Sequence, residues 1–223
     1  MRVAVEIWFI DLVAAPPPST TDLDLLSTEE HARHARYLVA EPARVFATTR
    51  IALRRLLAVR LGCSAAALQI RADVNGKPFV VGAARPFFNV SHGDTHALIA
   101  FCESSPVGVD VERRGAAPRE SHFAAAVCAA TELAWWHEHD PRDGDTLVRL
   151  WTRKEAVLKA QGVGLLRPIS EIDLGDPVAT EGLHVAANAV RARWCDLALP
   201  RAAIGAVAVI ADEASGIDVA IHS

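Results

Sequence analysis

Residues 107–112 read VGVDVE, a run too apolar for an open surface and too acidic for a wholly dry interior. Strand side chains alternate between faces, so Val107, Val109 and Val111 share one side and Asp110 and Glu112 the other. Two carboxylates on one face repel unless a proton, a cation or a basic residue neutralises them. The plain solution is a solvated strand face paired with Arg113 or Arg114. A second acidic segment, WTRKEAVLK (151–159), offers another. On a helix, Glu155 and Lys159 are four apart and share a face, with Trp151 one turn earlier. Left alone, they form an exposed ion pair worth tenths of a kcal/mol. Brought against Asp110 and Glu112, Glu155 completes a set of three carboxylates. An all-oxygen site of that kind suits a hard ion such as Mg²⁺, with Mn²⁺ an alternative, and a phosphorylated ligand.

The rest of the chain must supply a frame for that meeting. Its 223 residues suffice for one large domain or two small ones, and 51% hydrophobic content gives ordinary globular composition. A net charge of −4 gives no reason to expect nucleic acid or an anionic membrane as partner. Charge is uneven, however. Between His31 and Leu61, seven arginines (33, 36, 44, 50, 54, 55, 60) face one acid, Glu41, a patch suited to an anionic ligand or an acidic protein. Four scattered cysteines form no C-x-x-C pair, which favours free thiols in a reducing, cytoplasmic setting. Glu6 and Asp11 interrupt the apolar start, so residues 2–13 are expected as a strand rather than a signal peptide.

Ser27 and Glu30 form an S-x-x-E capping box for a short helix ending before Pro42, and a longer helix is expected over 43–61, closed by Gly62. Asn75–Gly76 reads as a hairpin turn. Strands are expected at 86–92, 96–103, 106–112, 185–199, 204–211 and 217–222. Helices are expected at about 120–139, with Thr131 capping its latter part, and 146–160. This order predicts an α+β fold of two halves, 1–105 and 106–223.

Two further segments carry polar residues at strand ends or turns. FNVSH (88–92) ends on Ser91 and His92, and GKP (76–78) places Lys77 before Pro78. Each has an ordinary structural reading, a strand-end histidine and a turn lysine, which is the commoner one for such a histidine, and each could instead bind phosphate.

Taken together and in order, VGVDVE, WTRKEAVLK, GKP, FNVSH, the Thr131–Glu132 pair and QGVGL (161–165) make the chain resemble the Sfp-type 4′-phosphopantetheinyl transferases. That resemblance implies a pseudo-twofold pair of similar halves, each a small, mostly antiparallel sheet packed with a long helix. It implies a monomer that moves the phosphopantetheine arm of coenzyme A onto a serine of an apo acyl, peptidyl or aryl carrier protein, releasing 3′,5′-ADP. It assigns Asp110, Glu112 and Glu155 to Mg²⁺, and catalytic roles to Glu155, Lys159 and Lys154. Contacts to the coenzyme fall to Arg36, Arg44, Lys77, Pro78, Ser91, His92, Asp110, Lys154 and Lys159. The competing reading is a Mg²⁺-dependent phosphodiesterase or pyrophosphatase acting on coenzyme A or a nucleotide with water. A non-enzymatic coenzyme-binding or carrier-docking module would not need three converging acids.

Overall fold

The computed structural model describes residues 2–115, 121–139, 145–163, 167–200, 202–212 and 215–223. Among these residues, ten strands and six α-helices follow one another as β1 (Arg2–Asp11), α1 (Thr20–Leu23), α2 (Thr28–His34), α3 (Ala40–Leu61), β2 (Ile70–Ala72), β3 (Pro78–Val80), β4 (Phe87–His92), β5 (His96–Cys102), β6 (Val107–Arg113), α4 (Ser121–Val127), α5 (Ala130–His139), α6 (Asp145–Gln161), β7 (Glu181–Val185), β8 (Arg191–Asp196), β9 (Ala203–Ile210) and β10 (Gly216–His222). The fold is α+β. Two four-stranded sheets, ordered β10-β1-β5-β4 and β6-β9-β8-β7, pack face to face, and β2–β3 forms a separate hairpin.

Strand alternation builds the layers. Val3, Val5, Ile7 and Phe9 of β1, with Leu98, Ala100 and Cys102 of β5, meet Val107, Val109 and Val111 of β6 and Val207 and Val209 of β9 in one buried cluster between the sheets. The alternate residues of the first sheet, Phe88, Ile99 and Phe101, turn to Leu53 and Leu57 of α3. Ala206 and Ala208 of β9 and Trp194 of β8 likewise turn to Ala156, Val157 and Ala160 of α6. The order through the molecule is therefore α3, first sheet, second sheet, α6. Because Val109 and Val111 face the first sheet, Asp110 and Glu112 must face α6.

Gly108 sets how closely α6 approaches. A Cβ there would lie 2.1 Å from the carbonyl oxygen of Ala156 and 2.3 Å from the amide nitrogen of Ala160. Both are helix backbone and cannot swing aside. Gly108→Ala is expected to destabilise the protein by about 3 kcal/mol or more, read as a lower urea midpoint. An unchanged midpoint would mean that α6 does not rest on β6.

Local signals explain several boundaries. The Ser27 capping box forms as expected: Ser27 Oγ accepts from the Glu30 amide, and Glu30 Oε2 accepts from the Ser27 amide at 2.9 Å. Gly62 ends α3 at φ 63°. α3 itself starts at Ala40, not 43, since Pro42 in a first turn lacks only a hydrogen bond that the helix would not make there. Other expectations need correction. The stretch 120–139 is two helices, broken at Cys128–Ala129, and Thr131 donates to Asp173 instead of capping. The start of α5 is capped by Glu132, which accepts the Ala129 amide at 2.7 Å. Of the strand expected over 185–199 only β8 forms, and β7, unanticipated and lying almost wholly before that span, pairs with it through a turn that puts Ala189 at φ 64°. The division at 105 is also incomplete in space. β10, the last strand, pairs parallel with β1 in the first sheet, so the second half closes the first.

Candidate active site

β4 and β6 come from different sheets but lie side by side where the sheets meet. Buried Asn89 on β4 accepts the Val109 amide at 2.9 Å, occupying a backbone donor of β6 with a side chain. Two residues further along β4 and one along β6, Ser91 Oγ donates to Asp110 Oδ1 at 2.7 Å. From α6, Lys159 Nζ reaches the same Asp110 oxygen at 2.6 Å and Ser91 Oγ at 3.2 Å, and stands 3.8 Å from Glu155 Oε2. The strand acid and the helix acid expected to converge are thus joined through one ammonium group.

That single cation leaves the site short of positive charge. Asp110 Oδ2 and Glu155 Oε1 are both buried with no hydrogen-bond donor, a condition native interiors seldom tolerate. Burial pushes the Glu155 carboxyl above its ordinary range, Asp110 adds to this, and Lys159 opposes it. Half-buried Glu112 is raised to about 7, first by burial and then by Asp110, with Glu155 contributing. Among the described residues, no three His, Cys, Asp or Glu groups stand close enough to hold a metal ion by themselves. The orphaned hard oxygens and the electrostatic coupling of all three acids do fit a Mg²⁺ ion that keeps several of its waters.

The Glu112 shift has a consequence for stability. Between the unfolded value near 4.5 and the folded value of about 7, the native state holds the extra proton. Native stability should therefore fall as pH rises across that window, by up to about 3 kcal/mol. Urea titrations with EDTA at pH 5 and pH 8 read this, and Glu112→Gln should flatten the dependence. An equally steep profile in that variant would assign the effect elsewhere.

On the other face of β4, His92 turns toward α2 and α3. Crowding by protein lowers its imidazole pKa, and Arg33, Lys159 and Arg50 lower it further against Asp94. The shift favours the neutral ring, which can still donate a hydrogen bond. Arg33 lies over the Phe46 ring at 4.8 Å. The sequence drew attention to the arginine patch but not to Arg33 and Arg50 as the members beside His92.

The patch is smaller than it looks in sequence. Arg44 pairs with Glu41, Arg50 and Arg54 with Glu30, Arg55 with Asp22, and Arg60 with Glu6. Five of the seven arginines are thus paired, but with four acids, three of them outside the counted window, so Arg50 and Arg54 share the one charge of Glu30 and leave a net positive charge there. Arg33 and Arg36 form no ion pair among the described residues, and Arg36 is exposed at the end of α2. Arg44 also donates to the Ala15 carbonyl, so the coenzyme contact implied for it competes with two internal partners.

Lys154 requires a correction. It is fully buried, and its ammonium is bound by the Val127 carbonyl at 2.7 Å and by the Glu132 carboxylate. It points away from Asp110 and Glu155, into the α4–α5 junction, which does not fit the catalytic and coenzyme-binding roles implied for it. Glu132 also accepts the amides of Ala129 and Leu174 at 2.7 and 2.9 Å. Lys77 is likewise turned inward, onto backbone carbonyls of α6 and β6. With Pro78 it lines a cavity of about 360 Å³ that also touches Phe87, Phe88, Gln161 and Ile210. That cavity lies at the opposite end of β4 from Ser91, four residues or roughly 13 Å away.

Comparison with known proteins places this geometry in a family. The profile described as "4'-phosphopantetheinyl transferase superfamily" matches residues 106–203, and that described as "4'-phosphopantetheinyl transferase, N-terminal" matches 17–104. The chain belongs to the 4′-phosphopantetheinyl transferase superfamily. Among individual relatives, it is 35% identical over 151 residues to a candidate 4′-phosphopantetheinyl transferase of Synechocystis sp., covering 66% of this chain and 61% of that protein. It is 28% identical over 186 residues to the 4′-phosphopantetheinyl transferase HetI of Nostoc sp., covering 76% and 73%. It is 24% identical over 153 residues to the transferase ffp of Bacillus subtilis, covering 68% and 67%. The match thus spans somewhat under two thirds of the Synechocystis protein. No helix among the described residues is long and apolar enough to cross a membrane.

Proposed function

We propose that this protein transfers the 4′-phosphopantetheine arm of coenzyme A to a serine of an apo carrier protein, releasing 3′,5′-ADP. The observation that carries this reading is the cluster Ser91–Asp110–Lys159–Glu155, which joins the two sheets and α6 beside His92 and Arg33. In the reaction, the carrier serine oxygen bonds to the β-phosphorus of coenzyme A. The bond between that phosphorus and the bridging oxygen breaks, and 3′,5′-ADP leaves with the electron pair. Charge develops on the phosphate oxygens, so placed cations and hydrogen-bond donors supply most of the rate enhancement.

Each residue has work suited to its surroundings. His92 donates a hydrogen bond to the pyrophosphate, and Arg33 and Arg50 add positive charge behind it. Lys159, on the opposite wall, balances the leaving phosphate. Glu155, one of whose carboxylate oxygens has no hydrogen-bond donor, takes the serine proton. Asp110, Glu155 and Glu112 are the residues that would hold Mg²⁺, which supplies further charge neutralisation when bound.

The test is intact-mass spectrometry of apo acyl, peptidyl and aryl carrier proteins incubated with this protein, coenzyme A and Mg²⁺, with and without EDTA. A gain of one phosphopantetheine arm, lost with EDTA, is expected. Cleavage of coenzyme A with no gain on any carrier would favour the hydrolase reading instead. Mg²⁺ should also raise the melting temperature more at pH 8 than at pH 6, because binding competes with the proton on Glu112. Equal shifts at the two pH values would exclude Glu112 from the ion's surroundings.

A further inference from the structure

We infer that Lys77 is a positioning residue, the staple with which the β2–β3 hairpin fixes the end of α6 and the start of β6, and so sets Lys159 against Asp110. The turn Asn75–Gly76, with Gly76 at φ 85°, brings the hairpin onto the C-terminus of α6. There Lys77 Nζ donates to the carbonyls of Lys159 at 2.6 Å, Val107 at 3.1 Å and Ala160 at 3.5 Å. Asn75 Nδ2 donates to the Gly162 carbonyl at 2.7 Å. The last carbonyls of a helix carry its negative end and mostly lack a partner within it, so a lysine and an amide are favoured here, although the Lys159 carbonyl also accepts the Gly162 amide at 3.3 Å.

The two elements held together are the ones that matter for the site. Lys159 offers its carbonyl to Lys77 and its ammonium to Asp110. Val107 lies three residues before Asp110 on β6. A shift of the helix end relative to the strand would move the ammonium away from the carboxylate directly. All three donors of the Lys77 ammonium have carbonyl acceptors, so a coenzyme phosphate could be bound there only by displacing them. The arrangement is also costly by itself, since burial lowers the Lys77 pKa to about 8 and only Asp73 opposes that. An exposed lysine would avoid the cost, which makes sense if the geometry is what the residue provides.

Only the kinetic half of the test rests on the transferase reading. Lys77→Met keeps the length and the apolar packing of the side chain and removes the ammonium. Carrier modification should fall ten- to a hundredfold in kcat, while the coenzyme A dissociation constant, by calorimetry, changes less than threefold. Amide hydrogen exchange over residues 159–163, which needs no substrate, should accelerate at least tenfold. Asn75→Ala should move both readouts in the same direction by a smaller factor, and it decides the matter if Lys77→Met does not fold. A tenfold weaker coenzyme affinity with kcat retained would overturn the inference in favour of a phosphate ligand. A lower melting temperature with kcat retained would reduce Lys77 to a purely structural residue. Absence of transfer by the unaltered protein would count against the transferase reading, and the exchange rates would still decide the role of Lys77.

Discussion

Asp110→Asn should reduce carrier modification about a thousandfold while leaving the protein folded. The substitution keeps the shape of the side chain and an oxygen that can accept from Ser91, so the bond joining β4 to β6 survives. What it removes is the charge that holds Lys159 at 2.6 Å and one of the two orphaned carboxylate oxygens of the cluster. Removal of a single preorganised electrostatic group from an active site costs about 10²–10³ in turnover. Asp110 touches both Lys159 and Ser91, which puts its loss at the upper end. Stability should change little. Losing a partner for Lys159 is offset by relief of the repulsion that raises Glu112 and Glu155. An NMR titration of Glu112 would read that relief directly, as a pKa below the native protein's value of about 7. A variant within tenfold of native turnover would remove Asp110 from the chemistry. A variant that unfolds would make it a structural acid.

Much of this site could be read from alternation and helical spacing, because both are local. Val107, Val109 and Val111 had to share a buried face, and Asp110 and Glu112 the opposite one. Helical periodicity placed Glu155 and Lys159 together, and in the folded chain they stand 3.8 Å apart. The same periodicity separates Lys154 from Lys159, since five residues at 100° each put them about 140° apart on the helix. The resemblance grouped the two lysines by motif, whereas the geometry sends one into the cleft and the other into the α4–α5 junction. Non-local facts were invisible. Nothing near the arginines announced that Glu6, Asp22 and Glu30 would pair with Arg60, Arg55 and Arg50 and Arg54. Likewise, the apolar strand at the C-terminus carries no mark that it pairs with β1 rather than with its neighbours in sequence. The β7–β8 turn was missed because it places an alanine, not a glycine, at positive φ.

The Lys154–Glu132 pair separates motif from mechanism most sharply. Both side chains are wholly buried, and together they tie the end of α4 through the Val127 carbonyl, the start of α5 through the Ala129 amide, and the loop before β7 through the Leu174 amide. Removing one partner strands a buried charge and typically costs 3–5 kcal/mol, whereas replacing both is far milder. Lys154→Met is therefore expected to lower stability by about 3–5 kcal/mol. In Lys154→Met/Glu132→Gln the second change should cost much less than it does alone. Recovery will be incomplete, because a glutamine offers one acceptor oxygen where Glu132 uses two for the Ala129 and Leu174 amides. Turnover per folded molecule should stay within about fivefold of native, because Lys154 reaches neither Asp110 nor Ser91. Urea titration of the four proteins of the cycle, with kcat measured where each is fully folded, reads both quantities together. A hundredfold loss of kcat at unchanged stability would restore Lys154 to the catalytic set. Additive costs in the cycle would show that the two charges do not depend on each other.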